Sequence, residues 1–193
     1  IMTLQALNAA DPIVTVTTTS GSFVVELFES QAPITVANFL NYVNADFYSS
    51  TLFHRVIDNF VIQGGGYTWD SAGNSANAVP TNPPVVNEFK VSNSRGTLAM
   101  AKTAAGPNTA TNQWFVNLGD NRSNLDNQNG GFTVFARVIG TGMTVPDNIA
   151  ALPIFNASQA LSDGAFNELP LISNTLNADT LVLVRSIKVI PVY

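Results

Sequence analysis

The sequence predicts a mainly all-β domain, a closed eight-stranded antiparallel barrel capped at its ends by two α-helices. Three observations lead there. Eight short segments are β-branched, aromatic or alternating in polarity, and turn signals of glycine, proline, asparagine or serine separate them. Only two stretches carry the helical period. The 193 residues suffice for a sizeable core in one domain spanning 1–193, and no second domain is needed. Short antiparallel strands in that number remove their open edges by closing on themselves.

In chain order, residues 13–19 and 22–28 make a first hairpin joined by Ser20-Gly21. A helix starts at Pro33, whose fixed φ suits a first helical position, and its Val36, Phe39, Leu40 and Val43 share one face, read as core. A second hairpin follows. Residues 53–57 are extended, Asp58-Asn59 turns the chain, and 60–63 are apolar again before Gly64, Gly65 and Gly66. Residues 68–86, rich in Gly, Asn, Ser and Pro, are expected to form a long loop bordering a substrate groove. Strands at 97–101, 113–118 and 133–138 precede a short helix at 145–151 and a closing strand at 180–190. Two stretches stand apart: 1–12 as an N-terminal extension, and 153–177 as an ordered excursion packed on the barrel.

The segment FHRVIDNFVIQGGGY, residues 53–67, sets one arginine among apolar and amide side chains. Strand alternation puts Phe53, Arg55 and Ile57 on one face, with His54 pointing away, and puts Val61 and Gln63 on one face of the next strand. Arg55 and Gln63 are thereby expected at a common groove. Parity leaves Phe60 on the other side unless the turn distorts the first residue of its strand. Gln113 and Phe115 share a face, with Trp114 opposite and packed inside. A site of this kind can bind and orient a substrate but is poorly equipped to break covalent bonds.

Inventory removes competing chemistries. With no cysteine and one histidine, thiol catalysis and Cys or Cys/His zinc sites are excluded, and a serine triad would have to recruit His54 without a nucleophile elbow. The triple glycine lacks the downstream Gly-Lys-Ser/Thr of a phosphate loop. The 13 acids are scattered singly, so neither a carboxylate metal site nor a carboxylate hydrolase finds paired acids; no metal and no cofactor are expected. Eight Lys plus Arg, a net charge of −5 and no basic stripe argue against nucleic acid.

Taken singly, Phe60, Val61 and Phe115 are more readily core residues than site residues; the longer motif changes that. FHRVIDNFVIQGGG, followed by RGTLAMAKTAAGPNTATNQWFVNL from Arg95, resembles the cyclophilin peptidyl-prolyl isomerases, and its bacterial members more than the compact eukaryotic ones. The resemblance runs from about residue 13 to the final strand near Pro191. It implies the barrel, isomerisation of X-Pro bonds without cofactor, Arg55 as catalytic arginine with Gln63 beside it, and Phe60 and Phe115 as aromatic walls of a proline pocket. It also puts Gln113 and Ala105 on further pocket positions and Val61 where a methionine is usual, and the Ala104 backbone is expected to hydrogen-bond the substrate chain. Two departures follow from NRSNLDNQNGGF: Leu125 falls where many eukaryotic members carry a tryptophan that contacts cyclosporin, and Phe132 where a pocket histidine is usual. Weak cyclosporin binding is therefore expected. A proline-peptide binding or chaperone module on the same fold, without turnover, stands as the alternative.

Hydrophobic residues make up 46% of the chain, yet no run approaches the ~18 of a membrane-spanning helix, so no membrane partner is expected. Charged residues are 11%, well below the ~25% of ordinary domains, and the surface should be polar through amides and hydroxyls instead. That surface and the lack of cysteine point to an extracytoplasmic bacterial protein, periplasmic or secreted, with the cytoplasm as the alternative, and the opening at Ile1 to a trimmed chain. The expected partners are proline-containing peptides and unfolded proteins, met as a monomer.

Overall fold

The computed structural model describes residues 11–191, so most of the expected 1–12 extension lies outside the described residues. β1 (Ile13–Thr18) and β2 (Gly21–Leu27) pair in the expected hairpin, and every second residue of β1 is buried. The Thr18 hydroxyl pins the turn by donating to the Gly21 carbonyl at 2.7 Å and accepting the Ser20 N–H at 3.0 Å.

α1 (Pro33–Asn44) begins on its proline. Ala32 ahead of it has no capping side chain, and the Glu88 carboxylate serves instead, accepting both the N–H and the hydroxyl of Thr35 at 2.6 and 2.8 Å. Val36, Phe39 and Val43 are buried as expected, and Leu40 packs partly against the same cluster. Tyr42, outside the predicted stripe, is also buried, its hydroxyl accepting the Asn82 N–H at 2.8 Å.

β3 (Thr51–Ile57) and β4 (Val61–Asp70) form the second hairpin. Here the expectation of a loop over 68–86 is corrected. β4 runs on to Asp70 and turns into β5 (Ser75–Ala78), which pairs back on Tyr67 through Asp70. Exposed ladder positions tolerate the polar residues that had suggested a loop, and only 79–96 connects irregularly to β6 (Thr97–Met100).

β7 (Trp114–Asn117), a single turn α2 (Arg122–Leu125), β8 (Val134–Val138) and α3 (Thr144–Ala150) follow. The closing strand is shorter than predicted: β11 spans Leu183–Val189, and Leu181 ahead of it makes an isolated bridge to Leu171 instead. Between α3 and β11 lie β9 (Ile154–Phe155), a 3₁₀ turn (Gly164–Phe166) and β10 (Leu169–Pro170), with β9 and β10 paired together.

The strands run β3-β11-β1-β2-β8-β6-β7-β4, all antiparallel, and the β3–β4 pairing closes the circle into an eight-stranded barrel. The main core mixes aliphatic residues from the strands with aromatic rings: Phe39 meets Tyr48 at 5.3 Å and Trp114 edge-on at 6.2 Å, and Phe53 meets Trp114 at 5.5 Å. The 153–177 stretch packs through Ala157, Phe166, Leu169 and Leu171 against Leu52, Trp69 and Leu181 in a second cluster on the other side of β3. A third cluster, built on Val61, Ala99, Phe115, Leu125 and Val134, underlies the site. Among the described residues no helix is long and apolar enough to cross a membrane, and no group of three acidic or histidine side chains could hold a metal.

Candidate active site

The local fold of β3 decides where Arg55 points. Phe53 pairs with Gly64 and Arg55 with Gln63, so two residues of β3 advance against one of β4, a β-bulge. Alternation fails across it: Phe53 and Val56, three apart, both enter the main core, while His54 and Arg55 both lie outside it. The expectation that Phe53 shares the face of Arg55, with His54 opposite Arg55, is thereby corrected, while regular pairing from Arg55 to Ile57 keeps those two on one face.

The turn settles Phe60. Asn59 adopts a left-handed φ of 57°, Phe60 donates its N–H to the Ile57 carbonyl at 3.0 Å, and β4 begins only at Val61. Freed from strand parity, the Phe60 ring lines the same groove as Val61 and Gln63. Its carbonyl accepts the Leu118 N–H and the Asn121 amide, each at 2.9 Å.

Gln63, directly across from Arg55, accepts from Nη1 at 3.3 Å through its Oε1 and donates Nε2 to the Gln113 Oε1 at 2.8 Å. On its other edge, Arg55 Nε lies 3.4 Å from the Glu168 carboxylate, contributed by the 153–177 stretch. A continuous polar row therefore runs Glu168, Arg55, Gln63, Gln113. The triple glycine makes room for it: a Cβ on Gly66 would lie 2.6–2.7 Å from the Gln113 side chain, and one on Gly65, at φ +88°, would lie 2.8 Å from the Trp114 ring.

Beside this row is a groove of about 400 Å³ lined by Arg55, Phe60, Val61, Gln63, Ala101 and Lys102 along the strands, and by Phe115, Asn124, Leu125, Gln128 and Phe132. Phe115 and Phe132 meet edge-on at 5.9 Å. Trp114, between Gln113 and Phe115 in sequence, is fully buried inside the barrel.

The stretch carrying Leu125 and Phe132 is held by buried amides. Asn117 donates to Asn93 and Thr97 at 3.1 and 2.9 Å, Asn121 donates to Asn117 at 2.8 Å, and Asn93 donates to Asp126 and to the Phe132 carbonyl at 2.9 and 3.1 Å. Part of the amide content expected at the surface is thus structural interior. Lys102 completes the hold: its Nζ donates to the Asn129 and Gly131 carbonyls at 2.6 and 2.7 Å and sits 4.4 Å over the Phe132 ring, and burial lowers its pKa.

Seven predicted residues, Arg55, Phe60, Val61, Gln63, Phe115, Leu125 and Phe132, converge on the groove. Gln113 stands behind Gln63 and touches the groove through it. Ala104 and Ala105 do not line this groove, for a local reason. The chain leaves β6 beside Gln113, so Ala101 and Lys102 face the groove. The following turn is folded on itself by the Thr109 hydroxyl, which accepts the Thr103 N–H and donates to the Gly106 carbonyl, each at 2.9 Å. Ala104 borders an adjoining pocket with Thr103 and Asn129 that shares Lys102, Gln128 and Phe132 with the groove, and Ala105 is exposed.

Glu168 was not predicted, since nothing local connects it to an arginine 113 positions away. Lys102 carried a weak signal, an isolated cation amid apolar and small residues. His54 is buried against Tyr67 and Phe166 at 5.1 and 6.1 Å, and its Nδ1 has no hydrogen-bond partner among the described residues. Burial, helped by the Arg55 charge, lowers its pKa to about 4, so it is neutral near pH 7.

A closed antiparallel barrel whose groove sets aromatic and aliphatic side chains beside a guanidinium held by an amide defines a cyclophilin-like protein. Two crystal structures of a cyclophilin-type peptidyl-prolyl cis-trans isomerase from Cryptosporidium parvum share the fold. The first covers 95% of this chain and 99% of its own at 22% identity, with a TM-score of 0.66. The second, solved in the presence of the dipeptide Ala-Pro, covers 93% and 99% at 24% identity and the same TM-score. In sequence, the family model described as cyclophilin type peptidyl-prolyl cis-trans isomerase/CLD matches residues 13–167. A peptidyl-prolyl cis-trans isomerase of Acinetobacter baylyi is 41% identical over 153 residues, covering 78% of each chain. Peptidyl-prolyl cis-trans isomerase B of Escherichia coli is 45% identical over 143 residues, covering 71% of this chain and 83% of its own. This chain belongs to the cyclophilin-type peptidyl-prolyl cis-trans isomerases.

Proposed function

We propose that the groove accelerates cis/trans rotation about X-Pro bonds of peptides and unfolded proteins, with Arg55 as the electrostatic catalyst and Phe60, Val61, Phe115, Leu125 and Phe132 as the proline pocket. The observation that carries this reading is the Arg55 guanidinium, held by Gln63 beside the apolar side chains of Phe60, Val61, Phe115, Leu125 and Phe132 in one groove. Rotation crosses a barrier of ~18–20 kcal/mol because amide resonance is lost, and it requires neither a proton nor a nucleophile. In the twisted state the proline nitrogen becomes pyramidal and recovers a lone pair, so a donor aimed there is worth more than in the planar ground state. Arginine suits the task because its planar fork keeps its charge and can reach a neighbouring carbonyl as well. The apolar walls exclude water, which favours the less charge-separated twisted amide. An acceleration of ~10⁵ needs roughly 7 kcal/mol of differential stabilisation, within reach of a charged hydrogen bond in a dry pocket.

Exchange NMR on an Ala-Pro peptide tests the reading. Wild type should show fast exchange, and Arg55→Ala should lose roughly two to three orders of magnitude in rate while staying folded. Slow exchange by a folded wild type that still binds the peptide would leave a binding module instead.

Leu125 offers no N–H donor where cyclosporin would meet a tryptophan, which supports weak cyclosporin binding; a nanomolar inhibition constant would refute that. The low charge and the lack of cysteine support an extracytoplasmic site of action, to be checked by fractionating the source cells.

A further inference from the structure

Glu168 is held in place from both sides along the chain. Its carbonyl accepts the Val56 N–H at 2.9 Å, tying its backbone to β3 one residue past Arg55. Leu169, next in sequence, is fully buried in the second cluster. Phe166, two residues earlier, is buried against Tyr67 at 4.8 Å and His54 at 6.1 Å. With the backbone anchored on the far side of β3, the carboxylate comes round to the Nε edge of Arg55 at 3.4 Å, while Gln63 takes Nη1 at 3.3 Å.

Both partners are about a third exposed, 36% for Arg55 and 34% for Glu168. An ion pair that open to water contributes little to stability. Orientation is a different matter. A guanidinium is a rigid planar fork, and fixing two of its edges fixes the direction of the third. Among the described residues Nη2 makes no hydrogen bond, so it is the edge left for a substrate. A free arginine side chain would sweep several rotamers, and misplacement of a catalytic donor by about 1 Å can cost up to ~10²-fold in rate.

We infer that Glu168 is a positioning residue: it draws the Nε edge of Arg55 away from the groove and so sets the guanidinium plane in which the arginine meets the twisting peptide bond. The inference rests on the reading of Arg55 as catalyst. It gives the 153–177 stretch a part in the reaction, through a residue just beyond the 13–167 span that matches the family.

The test is exchange NMR on an Ala-Pro peptide with wild type, Glu168→Ala, Glu168→Gln, Arg55→Ala and the Arg55→Ala/Glu168→Ala double variant, together with the ¹⁵N–¹H resonance of the Arg55 Nε. Glu168→Ala should lower kcat roughly tenfold with KM little changed, and should broaden or shift the Nε resonance. Glu168→Gln, whose amide oxygen can still accept from Nε, should recover most of both. The double variant should be no slower than Arg55→Ala alone, because the carboxylate acts only through the guanidinium.

Wild-type kcat and an unmoved Nε resonance in Glu168→Ala, with Arg55→Ala slow, would overturn the positioning role alone. Full activity in Arg55→Ala would overturn the reading beneath it as well. A loss in Glu168→Ala that Gln does not recover, with the Nε resonance unmoved, would assign the effect to packing of the stretch and overturn the inference too.

Discussion

One wall of the groove, carrying Arg55, Gln63 and Phe115, hangs on paired strands; the other, carrying Leu125 and Phe132, hangs on side-chain amides and one lysine. In the strand wall, ladder register alone puts Gln63 between Arg55 on β3 and Phe115 on β7. In the loop wall, one helical turn and a stretch of irregular chain are fixed by Asn93, Asn117, Asn121 and Lys102, each reaching across many residues of sequence. The strand wall owes its precision to backbone hydrogen bonds that any sequence of the right pattern can form. The loop wall owes it to particular side chains, so single substitutions should loosen it without dissolving the barrel.

The largest effect should come from breaking the strand wall where a close approach and a left-handed backbone coincide. Gly65→Ala must fit a Cβ at 2.8 Å from the buried Trp114 ring and hold alanine at φ +88°, which should cost about 4 kcal/mol in urea unfolding. A cost near ~1 kcal/mol would mean that this wall yields far more easily than its ladder implies.

Next comes the back of the same wall. His54 has its pKa lowered from 6.5 to about 4, so between those values the unfolded chain takes up a proton that the folded chain refuses. Its contribution is full above pH 6.5 and is lost as the pH falls through that window, by roughly 3 kcal/mol in all. Unfolding free energies measured from pH 7 to 4 should show this slope on top of that from the carboxylates, and His54→Gln should remove it. An unchanged slope in the variant would place the proton elsewhere.

The loop wall should respond more gently. Asn121→Ala leaves the Phe60 carbonyl and the Asn117 side-chain oxygen each short of a donor, at a cost of about 2 kcal/mol. Because Asn121 ties the loop to Phe60, the KM for an Ala-Pro peptide should rise with it; stability loss at constant KM would show that the amide network does not shape the groove.

Smallest is Lys102→Met, which keeps the apolar stem and deletes two hydrogen bonds to carbonyls and the contact over Phe132. It should cost about 1 kcal/mol, read by thermal unfolding. A new mobility of the Phe132 ring in NMR spectra should accompany it, and a rigid ring in the variant would show that the amides suffice.

The comparison also separates what was legible. The eight barrel strands, the helix on Pro33 and the sharing of one groove by Arg55 and Gln63 are written in local pattern, because side-chain alternation and turn residues act over a few positions. The family motif added Phe60, Val61, Phe115, Leu125 and Phe132, which periodicity by itself could not assign to a site. Other features were invisible. A one-residue bulge in β3 reverses the alternation that put His54 opposite Arg55. The turn closed by Thr109 puts Ala104 in an adjoining pocket and leaves Ala101 and Lys102 to line the groove itself.

What the sequence determined by itself was the kind of surface this chain could build: an arginine and an amide among aromatics, with no nucleophile or metal ligand set, on a small β barrel. Tertiary structure alone decided how that arginine is held, with Gln63 on one edge and Glu168 on another, and which amides are interior. The reason is range: hydrophobic period and turn chemistry are local, whereas a carboxylate 113 residues away, or an asparagine 24 residues from its partner, meets its site only once the barrel has closed.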